Sequence, residues 1–244
     1  ENFRKNLKLR FLPSILSVFG KFRISQNEFI TLKDIKSYGL YSAATSKTDD
    51  DIIIGTYDDI KVSICETKLI SNHNKRHTVH FDGLIVKLTP NKRYQATTVI
   101  ANKTKKNFTS RSDMQKIILE DVEFNKLYDV YSTDQVEARY LLTTGFIERL
   151  KNTRKSKYFE NAYGIFKYNS FYLFLSNNHS DDIADIKNNK MYVEGGFFEV
   201  GSINHSLYDK EIMRRPIMQI IAIFDLISYL KLDNNFNLKN NQTY

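Results

Sequence analysis

Tryptophan is absent from the 244 residues, cysteine occurs once and proline three times. The single thiol, Cys65, excludes a disulfide framework and any cysteine-rich zinc module. Three prolines and nine glycines exclude collagen-like, elastic and low-complexity chains. Long hydrophobic runs are also missing. The most apolar stretch, Ile217 to Leu232, contains Gln219, Asp225 and Ser228 and falls short of the ~20 apolar residues a bilayer crossing needs. No signal-peptide core is visible, and the chain starts at Glu1 without an initiator Met, so it reads as a piece of a longer protein. What is present is ordinary soluble usage, 41% hydrophobic and 26% charged, with 17 Phe and 15 Tyr. That is enough to bury a real core.

Lys and Arg outnumber Asp and Glu by 36 to 28, a net charge of +8. The excess is concentrated in the first ten residues and between Lys87 and Lys116. Within the second stretch Lys87, Lys92, Arg93, Lys103, Lys105, Lys106 and Arg111 form a candidate surface for anions or lipid headgroups, with a solvated charged face as the plainer reading. Asp49–Asp51, Asp58–Asp59 and Glu66 make an acidic segment between the two basic ones.

Apolar residues at helical spacing run through Phe3, Leu7, Phe11, Ile15 and Val18. From Asp51 the period becomes two. Ile52–Tyr57 and Ile60–Glu66 read as strands joined by a tight Asp58–Asp59 turn, with Ile60, Val62 and Ile64 inward. A polar loop at 71–76, a long strand at 78–88 and a return strand at 94–101 follow, then a polar loop at 103–112 and a strand at 123–131. Ser132 and Gln135 have capping-box spacing ahead of one helix, and Thr143 or Thr144 opens the next. An aromatic hairpin occupies 161–176, an edge strand 192–200, and a closing helix 207–232 contains Pro216. That helix is apolar on nearly every side, as in a helix buried in protein. The fold class is therefore α+β, with curved antiparallel sheets packed around a buried C-terminal helix, plus an N-terminal helix. The divisions are 1–36 for the N-terminal helix and basic leading segment, 37–232 for a single α+β domain, and 233–244 for a polar tail.

Catalytic signatures are missing. There is no phosphate loop, no Gly-x-Ser-x-Gly elbow and no zinc-spaced histidine pair; His77 and His80 point to opposite faces of a strand. Asp49–Asp51 lacks the spacing of a calcium loop, and Cys65 has no His beside it in sequence. The basic stretch carries too few aromatics for a nucleic-acid platform. No catalytic residue, metal or cofactor is assigned from the residues, and no nucleic-acid partner.

Several strings together resemble the bacterial domain-of-unknown-function family 3137. They are Asp51–Glu66, Phe81–Val86, Leu119–Phe124, Tyr131–Tyr140, Leu142–Thr143 and Phe146–Leu150, in this order, with Thr144–Gly145 departing from the family, which often has a Pro after the Thr. The most specific is Ser132-Thr-Asp134-Gln135-Val-Glu137-Ala-Arg139-Tyr140. The family assigns no catalytic residues. The resemblance implies a membrane-anchoring segment outside this chain, a place on the cytoplasmic side of the inner membrane, and a protein partner, such as a LemA-like membrane protein. The function expected is a non-catalytic binding or scaffolding domain; an anionic-lipid binder or an enzyme with a dispersed site are the alternatives. Within the specific string and its continuation, Val136, Tyr140, Leu141, Phe146 and Leu150 are expected to pack onto the sheet. Asp134 and Gln135 start the helix, while Glu137, Arg139 and Arg149 fix its orientation through charge-assisted hydrogen bonds.

Overall fold

The computed structural model describes residues 10–73, 76–91, 93–103, 108–153, 158–177, 197–198 and 210–230. The polar tail, most of the 192–200 stretch, Lys92, Lys105 and Lys106 lie outside them. A helical segment α1 (10–16) leads into strand β1 (Lys21–Ser25) and helix α2 (Leu32–Ser37). Three long strands follow: β2 (Ser46–Tyr57), β3 (Ile60–His73) and β4 (Arg76–Thr89). The chain continues through β5 (Thr98–Asn102), β6 (Gln115–Ile117), α3 (Val122–Leu127), β7 (Tyr128–Ser132), α4 (Gln135–Leu141) and α5 (Thr144–Thr153). β8 (Phe159–Lys167), β9 (Ser170–Asn177) and α6 (Lys210–Leu230) complete it.

All nine strands join one sheet in the order β1-β2-β3-β4-β9-β8-β5-β7-β6, and every neighbouring pair is antiparallel. The β2–β3 hairpin follows from its sequence. Asp58 and Asp59 take φ of 46° and 62°, as a tight turn between twisted strands demands, and Ile60, Val62 and Ile64 are buried.

Register assigns the two faces, because directly opposed residues point the same way. The first face carries Phe22, Ile53, Ile64, Val86, Leu173 and Gly164. The ring of Phe171 lies so close to Gly164 that a Cβ there would stand 2.5 Å from it. Helices cover this face: Phe224 of α6 stacks on Phe19 at 4.3 Å and meets Phe22 at 5.1 Å, and Phe146 of α5 meets Phe166 at 5.5 Å. On the second face, Tyr41 packs against Phe81, Tyr163 and Phe174. The architecture is thus α+β on a single antiparallel sheet. Burial of α6 is one-sided. Ile220, Ile223, Phe224, Ile227 and Leu230 are covered, while Asp225, Ser228 and Tyr229 stand in solvent.

Several local expectations give way to the observed structure. Residues 123–131 form not one strand but a helical turn and β7, because Asp121 caps α3 by accepting the Phe124 N–H at 2.8 Å. Of the expected polar loop at 71–76, residues 71–73 extend β3 and Arg76 opens β4, with His73 paired to Arg76. β5 starts at Thr98 and pairs with β7 and β8 instead of returning along β4. β1 and β6 have no counterpart in the sequence reading; five and three residues are too few to show a period.

Candidate functional site

The most specific string of the sequence lies across β7 and α4. Asp134, not Ser132, caps α4: its carboxylate accepts the N–H groups of Val136 (2.7 Å) and Glu137 (3.1 Å). Ser132 Oγ instead accepts the Asp134 N–H at 3.1 Å and lies 2.9 Å from Thr98 Oγ1 on β5. Thr143 caps α5, accepting the Phe146 N–H at 3.2 Å.

The charged side chains of the string reach backbone on distant segments. Glu137 accepts N–H bonds from Gln95 (3.0 Å) and Ala96 (2.5 Å). Arg139 donates to the carbonyl of Ile118 and Arg149 to that of Leu230, each at 3.2 Å. Gln135 donates to Gln115 at 2.5 Å.

The apolar positions divide differently from expectation. Leu141, Phe146 and Leu150 are buried, but Val136 is 65% and Tyr140 60% exposed. The reason is rotational: Ala138 and Leu141 form the buried stripe of α4, so residues 136 and 140, four apart, share its outer side. Ile118, held beside α4 through its carbonyl bond to Arg139, is 72% exposed, and Val122 at the start of α3 is 66% exposed.

Among the described residues, the basic side chains singled out from 87–111 have separate surroundings. Lys87 Nζ lies 5.6 Å over the Tyr172 ring. Lys103 donates to the Asn125 carbonyl at 2.9 Å and sits 3.7 Å from Asp129, which also holds Lys116 at 2.8 Å. Arg111 pairs with Asp113 and donates to the Ser37 carbonyl at 2.9 Å. Arg93 is exposed.

A carboxylate cluster forms where sequence reading looked only at neighbours in the chain. The β2 register shifts between Asp50 and Ile53, and Asp51 takes φ of 46°. This brings one oxygen each from Asp50, Asp51 and Glu66 within 4.8 Å of one another, a donor set suited to a hard divalent cation but well short of six oxygens without added water. Asp49 turns away to Thr67 (2.9 Å) and Lys47. Glu66 also accepts the Phe197 N–H at 3.0 Å, and Gln219 of α6 accepts that of Phe198 at 3.1 Å, so the carboxylate helps seat residues 197–198. Cys65 is buried, and burial pushes its thiol up to about 12, the opposite of an activated nucleophile. His80 shares a 2.8 Å hydrogen bond with Ser71.

A family model described as a protein of unknown function (DUF3137) matches residues 79–232. The chain belongs to the DUF3137 family. The DUF3137 match begins inside β4, so the Asp51–Glu66 string lies ahead of it, and α4, α5 and most of the sheet lie within it. The crystal structure of the mycobacterial trehalose monomycolate transport factor A, TtfA, is similar at 11% identity, with 91% of this chain and 96% of that chain covered and a TM-score of 0.43. No curated protein matches the chain. Among the described residues no helix is long and apolar enough to cross a membrane.

Proposed function

We propose that this DUF3137 chain is a non-catalytic binding domain of a membrane-associated bacterial protein, placed on the cytoplasmic side of the membrane and holding a protein partner through α4. The observation that carries this reading is the solvent exposure of Val136 and Tyr140 in the middle of the most specific string. Further support comes from Glu137, Arg139 and Arg149, whose hydrogen bonds to backbone give them a fixing role and leave the apolar pair as what α4 presents outward. Tyr supplies contact area at small entropic cost and is a common interface anchor.

The experiment compares the full-length protein with a Val136→Lys, Tyr140→Ser double variant in its native membrane fraction. Surface substitutions of this kind shift stability by only about 0.5 kcal/mol. The variant should keep its melting temperature and lose the partner that copurifies with the parent. A folded variant that retains its partner overturns the reading, as does a turnover reaction abolished by the same two substitutions.

A further inference from the structure

Among the described residues, the second face of the sheet is covered over only part of its area. Around Phe81, Phe174 and Tyr163 it is packed by Tyr41. Toward the Asp58–Asp59 turn a different row appears, in which Lys21 opposes Thr56, Thr56 opposes Lys61, and Lys61 opposes Thr89. The adjacent row on the same face runs Arg23, Ile54, Ser63, Lys87 and Tyr172. Lys167 joins at the end of β8, with Nζ 4.8 Å from the Tyr38 ring and 5.1 Å from the Tyr168 ring.

Lys21, Arg23 and Lys61 are exposed, and Lys87 and Lys167 half-buried. Among the described residues none of the five forms an ion pair. Hydroxyls stand between them: Thr56, Ser63, Thr89, and Ser170, whose Oγ is 3.2 Å from that of Thr89. The acidic groups at the margin are Asp58 and Asp59 in the exposed turn, and Asp34 and Asp113, whose carboxyls are held down chiefly by hydrogen bonds from Thr31 and Arg111 and to a smaller extent by Lys167.

We infer that this sheet face docks on an anionic phospholipid surface, whose headgroup phosphates take the place of the missing carboxylates. The cations span six adjacent strands, roughly 24 Å at about 4.8 Å per strand, wider than a single phosphate could fill. Four of the five are lysines, compact charges suited to a diffuse anionic layer. Tyr168, 64% exposed at the rim beside Lys167, is the residue type that settles at a membrane interface. A single-stranded nucleic acid would need free aromatic faces among the cations. Here the Tyr172 and Tyr38 rings already lie under Lys87 and Lys167. The inference uses a surface apart from α4 and stands or falls without it.

The test is co-sedimentation of the 244-residue chain with vesicles of phosphatidylcholine alone and of phosphatidylcholine with one quarter phosphatidylglycerol. Binding should need the anionic lipid and fall at least tenfold between about 50 and about 500 mM salt. Lys21→Glu, Lys61→Glu and Lys87→Glu together should weaken it by about two orders of magnitude, each lost charge counting for roughly fivefold or more. Should the triple Glu variant melt early, Lys→Gln at the same positions keeps the test decisive. The control reverses Lys68, Lys103 and Lys126 instead, for the same change of net charge, and should bind as the parent does. Absence of binding to the anionic vesicles overturns the inference. So does an equal loss in the control, or duplex DNA bound more tightly than vesicles through the same three lysines.

Discussion

Glu137 sits on α4, yet its carboxylate serves backbone 41 and 42 residues upstream, where Ala96 and Gln95 each give it an N–H. Removing the acceptor strands two donors, one on the half-buried side of the chain, at a cost of about 1–3 kcal/mol. Glu137→Ala should therefore lower the melting temperature clearly, while Glu137→Gln, which retains one acceptor oxygen, should lose less; thermal denaturation measures both. Cys65 makes the complementary case. Its folded-state pKa lies above that of a free thiol, so the neutral form supports the fold in full below the ordinary thiol range. That contribution fades as the pH climbs through the range toward about 12. At pH 8 the native protein should react with a thiol reagent only at its unfolding rate, and at once in denaturant. Rapid native labelling would contradict the burial. Residue chemistry alone pointed to an inert thiol and to carboxylate or guanidinium groups in fixing roles, but their partners sit on other segments and could not be read.

Among the elements, legibility tracks the length of the pattern. β3 alternates over enough residues for its inward set, Ile60, Val62 and Ile64, to stand out, and the two aspartates of the turn mark where it begins. The stretch 123–131 misleads because Phe124, Leu127 and Val130 recur every three residues, a spacing that a helical turn followed by a strand satisfies as well as an irregular strand does. In the same way, four-residue spacing places Val136 and Tyr140 on one side of α4 without saying which side meets the sheet, and the side chosen is solvent. The α3 start offers a direct check. Asp121 accepts the Phe124 N–H and pairs with Lys151 at 2.7 Å, and that ammonium, followed by the backbone N–H, holds its carboxyl below the usual range. A depressed carboxylate stabilises the fold in full above its unfolded pKa, near 3.9, and loses that contribution as the pH falls through the lower folded value. Asp121→Ala should cost about 1 kcal/mol at neutral pH. The gap between parent and variant should narrow as the pH falls through the lowered carboxyl pKa, where the Asp121 side chain loses its charge. A gap that persists in acid would mean that the charge is not what Asp121 contributes.

Across the whole molecule, the two ends of the described chain meet. Phe224 near the end of α6 lies 4.3 Å from Phe19, 5.1 Å from Phe22 and 5.1 Å from Tyr57, so one ring joins the α1–β1 connection, the edge strand and the β2 end to the last helix. Farther along α6, the Leu230 carbonyl takes the Arg149 guanidinium of α5, and Gln219 holds the Phe198 N–H. α6 is therefore laid over β1 and β2 through Phe224 and fixed to α5 at its C-terminus, Leu230. β1 itself has little else to hold it, being five residues long and paired on one side only. Phe224→Ala removes a buried ring at the point where these elements converge, which costs about 3–5 kcal/mol when the cavity cannot collapse. Because the lost contacts are shared between the first strand and the last helix, the damage should not stay local. Hydrogen exchange should show residues 16–25 and 217–230 losing protection together, while the β8–β9 hairpin, held by β4 and β5 on its two sides, keeps more of its own. Loss confined to α6, with β1 still protected, would show that the edge strand stands without the helix and that the two ends of the chain fold independently.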